Sequence, residues 1–147
     1  MINEDIGHLY RIEDCVFIDG IFELAKEYQD KGYLIIIVTN QAGIAKGMYA
    51  EQEYFVLRDW MHEQFRSRGV EVTAEYYCPH HPDYTGTCEC RKPKPGMILR
   101  AAQEHNIDLA QSLIIGDKQS DIETRKRAGI CKTLLAEYST RVRPQVS

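Results

Sequence analysis

Three cysteines and two histidines cluster within thirteen residues of the chain, from position 78 to position 90. Zinc in proteins usually takes four ligands in a tetrahedron and prefers thiolate sulfur and imidazole nitrogen. Two close pairs separated by a short loop can wrap one ion, and these pairs supply Cys78, His80, Cys88 and Cys90. His81 is the competing histidine, but one ion does not readily take two adjacent imidazoles. We therefore predict one zinc ion in residues 78–90, called the zinc loop below.

Four protein ligands leave no open coordination position, so the predicted zinc is structural and not hydrolytic. The zinc loop contains Pro79, Pro82 and Gly86 and has little apolar content, so metal binding would supply its ordering energy. The alternatives are a loop of free, partly buried thiols and a catalytic zinc. The five cysteines of the chain are an odd number in a cytosol-like sequence, which argues against a disulfide framework.

A basic run directly after the zinc loop has the chemistry to bind phosphate. Arg91 can grip phosphoryl oxygens bidentately, and Lys92 can neutralise a further oxygen. Thr39 follows an apolar run, where its hydroxyl and nearby backbone N–H groups could hold a phosphoryl group. Asp117 follows another apolar run with Lys118 beside it, and its carboxylate suits magnesium. Taken singly, these signals also fit a turn residue, a solvated basic turn and a helix N-cap.

The composition excludes several classes of protein. A net charge of -4 and a pI near 5.7 give no indication of nucleic-acid binding. The longest apolar run, residues 34–38, is far too short to span a bilayer, and the polar, acidic N-terminus does not resemble a signal peptide. We therefore expect a cytoplasmic protein without nucleic-acid or membrane partners. A length of 147 residues fits a single domain.

The elements that must position these residues alternate between helix and strand. Periodicity predicts a helix between Gly20 and Gly32, further helices over residues 51–68 and 97–105, and a last helix that follows Asp117 and ends at Ala128. Strands are predicted at 33–38, 74–77, 112–115 and 131–135, the first of them buried on both faces. Residues 39–47 are predicted as a loop, and residues 138–147 show no clear periodicity. This order implies an α/β, Rossmann-like parallel sheet with helices on both faces and ligands at the carboxyl ends of its strands.

Four stretches of the sequence together resemble a known family. The chain is similar to the haloacid-dehalogenase-like (HAD-like) phosphatases, in the zinc-containing branch that dephosphorylates D-glycero-D-manno-heptose 1,7-bisphosphate at C7. The resemblance covers about residues 2–135 and is carried by Val38-Thr39-Asn40-Gln41-Ala42-Gly43-Ile44-Ala45-Lys46-Gly47, Tyr76-Tyr77-Cys78-Pro79-His80-His81-Pro82, Cys88-Glu89-Cys90-Arg91-Lys92-Pro93-Lys94-Pro95-Gly96-Met97 and Ile115-Gly116-Asp117-Lys118.

The resemblance implies a role for each matching residue. Thr39 and Lys92 would stabilise the transferring phosphoryl group, and Arg91 would recognise the substrate. Asp117 would hold the catalytic magnesium ion. The remaining substrate contacts would come from an early turn, a loop after Thr39 and the residue beside the magnesium ligand, namely Asp5, Ile6, Gly7, His8, Asn40, Gln41, Ala42 and Lys118. The family more often has an aromatic residue where this chain has His8.

The aspartate pair that these phosphatases use is absent from the chain. In the family one aspartate attacks phosphorus and a second, two residues later, acts as general acid and base. Both belong to an Asp-x-Asp-Gly motif that the resemblance places directly before residue 2, on a strand normally central in the sheet. No Asp-x-Asp occurs among the 147 residues. We therefore expect a truncated domain without its first strand, weak magnesium binding by Asp117 alone, and negligible phosphatase activity.

Three alternatives accompany this interpretation. The histidinol-phosphate phosphatases share the zinc loop, although the segment 43–47 and Pro95-Gly96-Met97 look more like the heptose branch. A chain without the nucleophile could instead be a pseudoenzyme that binds zinc and sugar phosphate without hydrolysis. The family implies a monomer, but a missing central strand would expose unpaired edges, which favours strand exchange or dimerisation.

Overall fold

The computed structural model describes residues 9–15, 17, 20–114, 119–130 and 132–133. Its helices and strands alternate along the chain, as the periodicity predicts. The α-helices are α1 (Ile21–Asp30), α2 (Ala42–Ala45), α3 (Glu51–Ser67), α4 (Pro82–Thr85), α5 (Gly96–His105) and α6 (Gln119–Ala128), with 3-10 turns at Ile12–Asp14 and Leu109–Gln111. The strands are β1 (Ile35–Asn40), β2 (Val72–Cys78), β3 (Leu113–Ile114) and β4 (Lys132–Thr133).

The strands pair in parallel, which confirms the predicted α/β class. Strand β1 lies beside β2, and β3 lies beside β4, each as a two-stranded sheet. Parallel neighbours need a crossover, and α3 and α6 supply one between the members of each pair. At the carboxyl end of the first pair, Thr39 stands opposite Tyr77 and Asn40 opposite Cys78. That register brings the end of β1 to the start of the zinc loop.

Helices cover both faces of β2, because successive side chains of a strand point to opposite faces. On one face, the Glu75 carboxylate accepts a hydrogen bond from the Tyr54 hydroxyl of α3 and lies 2.8 Å from Nε2 of His62. On the other face, Tyr76 and Cys78 pack against α5 through Met97 and Ala101. Helices α3 and α5 therefore lie on opposite faces of β2, the strand that leads into the zinc loop.

Among the described residues, three apolar clusters form the core. The first joins α1, α3 and the turn after α3 through Ile21, Phe65 and Val70. The second contains the β2 and α5 residues just described. The third joins Ile98 of α5 to Ala128 and Ile130 at the end of α6. Val38 of β1 packs against both the second and the third cluster, so α5 and β1 connect the two strand pairs.

The structure corrects the sequence predictions at several points. Strand β1 begins two residues later than predicted and includes Thr39 and Asn40, while α2 and α4 lie in segments predicted as loops. All six residues of β1 are half-buried, whereas the sequence predicted burial on both faces. Within the described ranges β1 has a strand neighbour on one edge only, which leaves part of its surface accessible. The prediction that residues 1–147 form one domain without a first strand stays a prediction.

No helix within the described ranges is both long and apolar enough to cross a membrane.

Truncating Phe65 should strongly destabilise the fold. The side chain is 2% exposed, and its ring lies 4.8 Å from the ring of Phe22 and 6.3 Å from that of Phe17, centroid to centroid. Removing a buried phenyl group leaves a cavity, so Phe65→Ala should lower the free energy of unfolding by about 3–5 kcal/mol in urea titration. Val56→Ala on the exposed face of α3 is the control and should change it by less than about 0.5 kcal/mol. Equal effects of the two substitutions would contradict this account of the core.

Candidate functional site: a metal-binding loop joined to a phosphate-binding loop

The four predicted zinc ligands meet at one point of the structure. Sγ of Cys78 lies 3.5 Å from Sγ of Cys88 and 3.6 Å from Nδ1 of His80. Sγ of Cys90 lies 3.3 Å from that nitrogen and 3.5 Å from Sγ of Cys88. All four candidate ligand atoms lie within 4.8 Å of one another. In a tetrahedron with metal–sulfur bonds of about 2.3 Å, the sulfurs stand about 3.8 Å apart, so the cluster fits a four-coordinate metal ion.

Local structure decides which of the two adjacent histidines joins the cluster. His81 caps α4, because its Nδ1 accepts a hydrogen bond from the backbone N–H of Asp83 at 3.1 Å. Its ring also packs against Tyr84. This use of His81 as a cap leaves His80 facing the three cysteines, as the sequence predicted.

Burial and hydrogen bonding act differently on the thiols of the cluster. Cys78 is fully buried, and this desolvation is the main reason that its pKa is raised. Desolvation also works to raise the pKa of Cys88, but hydrogen bonds from the Arg91 backbone N–H and the Cys78 thiol favour its thiolate and lower that pKa to about 6. Cys88 is therefore the thiol most ready to lose its proton when a metal ion binds.

Hydrogen bonds tie the zinc loop to the basic segment that follows it. Arg91 donates from a guanidinium nitrogen to the carbonyl oxygen of His80 at 3.4 Å. The Lys94 ammonium donates to the carbonyl oxygen of Cys88 at 2.5 Å. At Gly96, a Cβ atom would collide with the carbonyl group of Glu89, so glycine is required for α5 to start this close to the loop. The position of Arg91 thus depends directly on the conformation of the zinc loop.

The end of β1 is joined to the same assembly. The backbone N–H of Gln41 donates to the carbonyl oxygen of Cys78 at 2.8 Å, which extends the parallel pairing by one bond. The side chain of Asn40 holds the backbone of Lys92 from both sides. Its Oδ1 accepts from the Lys92 N–H at 3.1 Å, and its Nδ2 lies 3.5 Å from the Lys92 carbonyl oxygen. Asn40 thereby ties the segment containing Lys92 to the residue that directly follows Thr39, although Thr39 and Lys92 are 53 positions apart.

Tyr49, which the sequence analysis did not single out, organises the loop after Thr39 through its hydrogen bond to Gln41. Gln41 donates from Nε2 to Oγ1 of Thr39 at 3.0 Å, and its Oε1 accepts from the hydroxyl of Tyr49 at 2.5 Å. Ala42 is 7% exposed at the start of α2, so its side chain contributes packing. The only signal for Tyr49 in the sequence is an aromatic residue six positions after Gly43, too common a pattern to identify it.

A cavity of about 290 Å³ opens beside the metal cluster, between β2 and α5. Its lining residues are Tyr76, Tyr77, Pro79, His80, Cys90, Gly96, Met97 and Arg100. Because neither Thr39 nor Lys92 lines it, this cavity is separate from the predicted phosphate-binding residues.

The comparisons with known proteins agree with this arrangement. A family model described as HAD-hydrolase-like matches residues 89–142. A D-glycero-alpha-D-manno-heptose-1,7-bisphosphate 7-phosphatase from Burkholderia mallei is 47% identical over 140 residues, which cover 92% of this chain and 74% of the relative. A D-glycero-beta-D-manno-heptose-1,7-bisphosphate 7-phosphatase from Yersinia pestis is 42% identical over 134 residues, covering 88% and 71%. The chain belongs to this phosphatase family.

Two solved structures support the assignment. The D,D-heptose 1,7-bisphosphate phosphatase from B. bronchiseptica, complexed with magnesium and phosphate, gives a TM-score of 0.82 at 28% identity and covers 90% of this chain and 73% of its own. A HAD-like phosphatase from Mesorhizobium loti gives 0.85 at 30% identity, covering 90% and 66%. The predicted HAD-like fold and the heptose branch of the family are confirmed, and the chain's family is one of phosphoric monoester hydrolases.

Several predicted site residues lie outside the described residues. They are the early turn and the segment after β3, namely Asp5, Ile6, Gly7, His8, Asp117 and Lys118. Their assignment as substrate-binding residues and magnesium ligand stays a prediction. The structure brings the described residues of the predicted site together in two linked groups, the metal cluster with Arg91 and the end of β1 with Lys92.

Cobalt substitution should detect the metal cluster. With three thiolates and one imidazole, one Co²⁺ ion per chain should give the strong near-ultraviolet thiolate band and the visible bands of a tetrahedral ion. Cys88→Ser should weaken cobalt binding at least tenfold, because one of the four ligands is lost. Cys15→Ser is the control, since Cys15 is a free cysteine outside the cluster. Octahedral spectra, or equal effects of the two substitutions, would contradict a four-ligand site.

Proposed function

We propose that this protein binds D-glycero-D-manno-heptose 1,7-bisphosphate and that its family reaction, hydrolysis of the C7 phosphate, takes place at the end of β1. The observation that carries the proposal is the Asn40 contact, which ties the Lys92 backbone to the residue directly after Thr39. The names of the relatives from Burkholderia mallei and Yersinia pestis supply the substrate.

Each residue of the proposed site has a defined task. The Thr39 hydroxyl donates a hydrogen bond to a phosphoryl oxygen, and the Lys92 ammonium neutralises the charge that develops on the group. The Arg91 guanidinium binds the sugar phosphate and sets its position. The attacking carboxylate comes from the family's Asp-x-Asp motif, which the 147 residues do not contain. Magnesium at Asp117 is proposed because the B. bronchiseptica structure contains magnesium and phosphate.

Adding the missing motif tests the proposed reaction. An apolar strand ending in Asp-x-Asp-Gly is placed ahead of residue 2, and this extended protein and the 147-residue chain each receive the bisphosphate with magnesium. We expect the extended protein to release one phosphate per molecule, from C7, and to leave the sugar 1-phosphate. Both anomers are offered, because relatives named for each anomer match this chain. An extended protein with Asn in place of the first aspartate is the matched control and should release none.

The 147-residue chain itself should bind the bisphosphate without hydrolysing it. Thr39, Arg91 and Lys92 are all present, whereas the nucleophile is not. Isothermal titration should therefore show binding, and the mixture should release no phosphate. Turnover by the pure 147-residue chain would overturn this assignment of roles. Absence of turnover by the extended protein would overturn the proposed reaction.

We propose that the ion in the metal cluster is zinc. Three cysteines and one histidine in a closed set of four are the donors that structural zinc prefers, and they disfavour magnesium, which takes oxygen ligands. When bound, zinc cross-links the loop. The bonds from Arg91 to His80 and from Lys94 to Cys88 then hold the basic segment in one position. The zinc loop in this proposal positions the phosphate-binding residues and performs no chemistry.

Removing zinc should weaken phosphate binding. Without the ion the zinc loop loses its cross-link, so Arg91 and Lys92 are no longer held in position. We expect a chelated, refolded protein to bind inorganic phosphate at least about tenfold more weakly by isothermal titration, with zinc but not magnesium restoring the affinity. Circular dichroism monitors the rest of the fold. Unchanged phosphate affinity in fully zinc-free protein would contradict the positioning role.

The proposed reaction belongs to the cytoplasmic synthesis of heptose precursors for lipopolysaccharide. The partner in this proposal is a small sugar phosphate.

A further inference from the structure

Tyr49 occupies a buried position next to the loop that follows Thr39, the residue proposed to bind the phosphoryl group. Its side chain is 6% exposed, and its hydroxyl donates to Oε1 of Gln41 at 2.5 Å. The ring stacks on Tyr10, with 5.2 Å between the centroids and 12° between the planes. It also lies directly over Gly43, where a Cβ atom would collide with it. The ring is therefore held between two neighbours, and its hydroxyl has a fixed direction.

The hydroxyl of Tyr49 determines which way the Gln41 amide faces. A primary amide has an accepting end and a donating end, and here the Tyr49 hydroxyl donates to the accepting end, Oε1 of Gln41. With Oε1 turned to Tyr49, the Nε2 group must point the other way, and it lies 3.0 Å from Oγ1 of Thr39. A rotated amide would present its oxygen to Thr39 instead. The order of donors therefore runs from Tyr49 to Gln41 to Thr39.

This order fixes the role of the Thr39 hydroxyl. Because its oxygen accepts from Gln41, its hydrogen must point elsewhere. Within the described part of the chain, the Thr39 hydroxyl faces the Asn40 carbonyl oxygen, but Oγ1 lies 3.5 Å from that oxygen, which is too long for a good O–H···O bond. The hydroxyl is thus prepared to donate to an incoming anion.

We propose that Tyr49 is a positioning residue, which keeps the Thr39 hydroxyl in its donating orientation toward the phosphoryl group by fixing the Gln41 amide. This inference rests on the phosphoryl-binding role of Thr39 given under the proposed function. It assigns to Tyr49 a task that requires its hydroxyl and not only its ring.

The chain of hydrogen bonds from Tyr49 through Gln41 to Thr39, called the relay below, keeps its direction over the physiological pH range. Burial raises the pKa of Tyr49 to about 12, so the hydroxyl keeps its hydrogen and remains a donor at neutral pH. Gly43 protects the geometry, since any larger residue would push the ring away from Gln41.

Tyr49→Phe tests the inference, with Tyr54→Phe as the matched control. Tyr54 is also a buried tyrosine that donates to a side-chain oxygen, that of Glu75, but it has no contact with Thr39 or Gln41 in the described structure. Two readouts are taken on the 147-residue chain: the affinity for inorganic phosphate by titration, and the side-chain amide resonances of Gln41 in ¹⁵N-labelled protein. Circular dichroism and melting temperature report folding.

Tyr49→Phe should weaken phosphate binding about tenfold and move the Gln41 amide resonances toward those of the exposed Gln52. Tyr54→Phe should lower the melting temperature while leaving both readouts near the values of the parent protein. If Tyr49→Phe does not fold, Gly43→Ala displaces the same ring and should give the same two changes.

The outcomes separate this inference from the proposed function. If the parent protein binds no phosphate, the proposed function fails, and the Gln41 resonances alone decide whether the relay exists. If phosphate binds but Tyr49→Phe leaves the affinity and the resonances unchanged, the positioning role is wrong and the proposed function stands. Equal losses of affinity in Tyr49→Phe and Tyr54→Phe would reduce Tyr49 to a structural residue and overturn the inference.

Discussion

The parallel register of β1 and β2 is the constraint on which the site depends. It sets Asn40 opposite Cys78, so the last residue of one strand meets the first metal ligand on the other. Shifting the register by one residue would turn Asn40 away from Lys92, because neighbouring side chains of a strand point to opposite faces. The metal cluster, the basic segment and the end of β1 are consequently parts of one hydrogen-bonded unit.

This arrangement gives a physical reason for the proposed structural metal ion to lie close to the proposed phosphate-binding residues. Residues 78–90 contain few apolar side chains and cannot build a core that would fix Arg91 and Lys92. Metal coordination can order such a segment and requires only four ligand side chains. Arg91 and Lys94 donate their hydrogen bonds to backbone carbonyl oxygens of the loop. These contacts therefore do not depend on the side chains that the loop carries.

The sequence allowed the elements and the metal ligands to be predicted, because both depend on local pattern. Periodicity located α1, α3 and α5 within a few residues, and ligand spacing located the metal cluster. The sequence also predicted His80 over His81 as the fourth ligand, but the physical reason for that choice, the N-cap that His81 forms on α4, required the structure. Predicting the half-burial of β1 or the contact of Asn40 with Lys92 requires knowledge of tertiary packing, which no local pattern contains. The same holds for Tyr49, whose task depends on two side chains that are eight and ten residues earlier in the chain.

The exposed stretch inside the zinc loop has a consequence for how such chains can diverge. Residues 83–87 lie at the surface, and Gly86 has open space around its Cα. Insertions at residues 86–87, beyond the helix that His81 caps, can therefore accumulate without moving any ligand. Between Cys90 and Lys92 stands a single residue, Arg91, and one more residue there would move Lys92 away from the metal cluster. The exposed segment before Cys88 can therefore change its length during evolution, whereas the spacing between Cys90 and Lys92 is fixed.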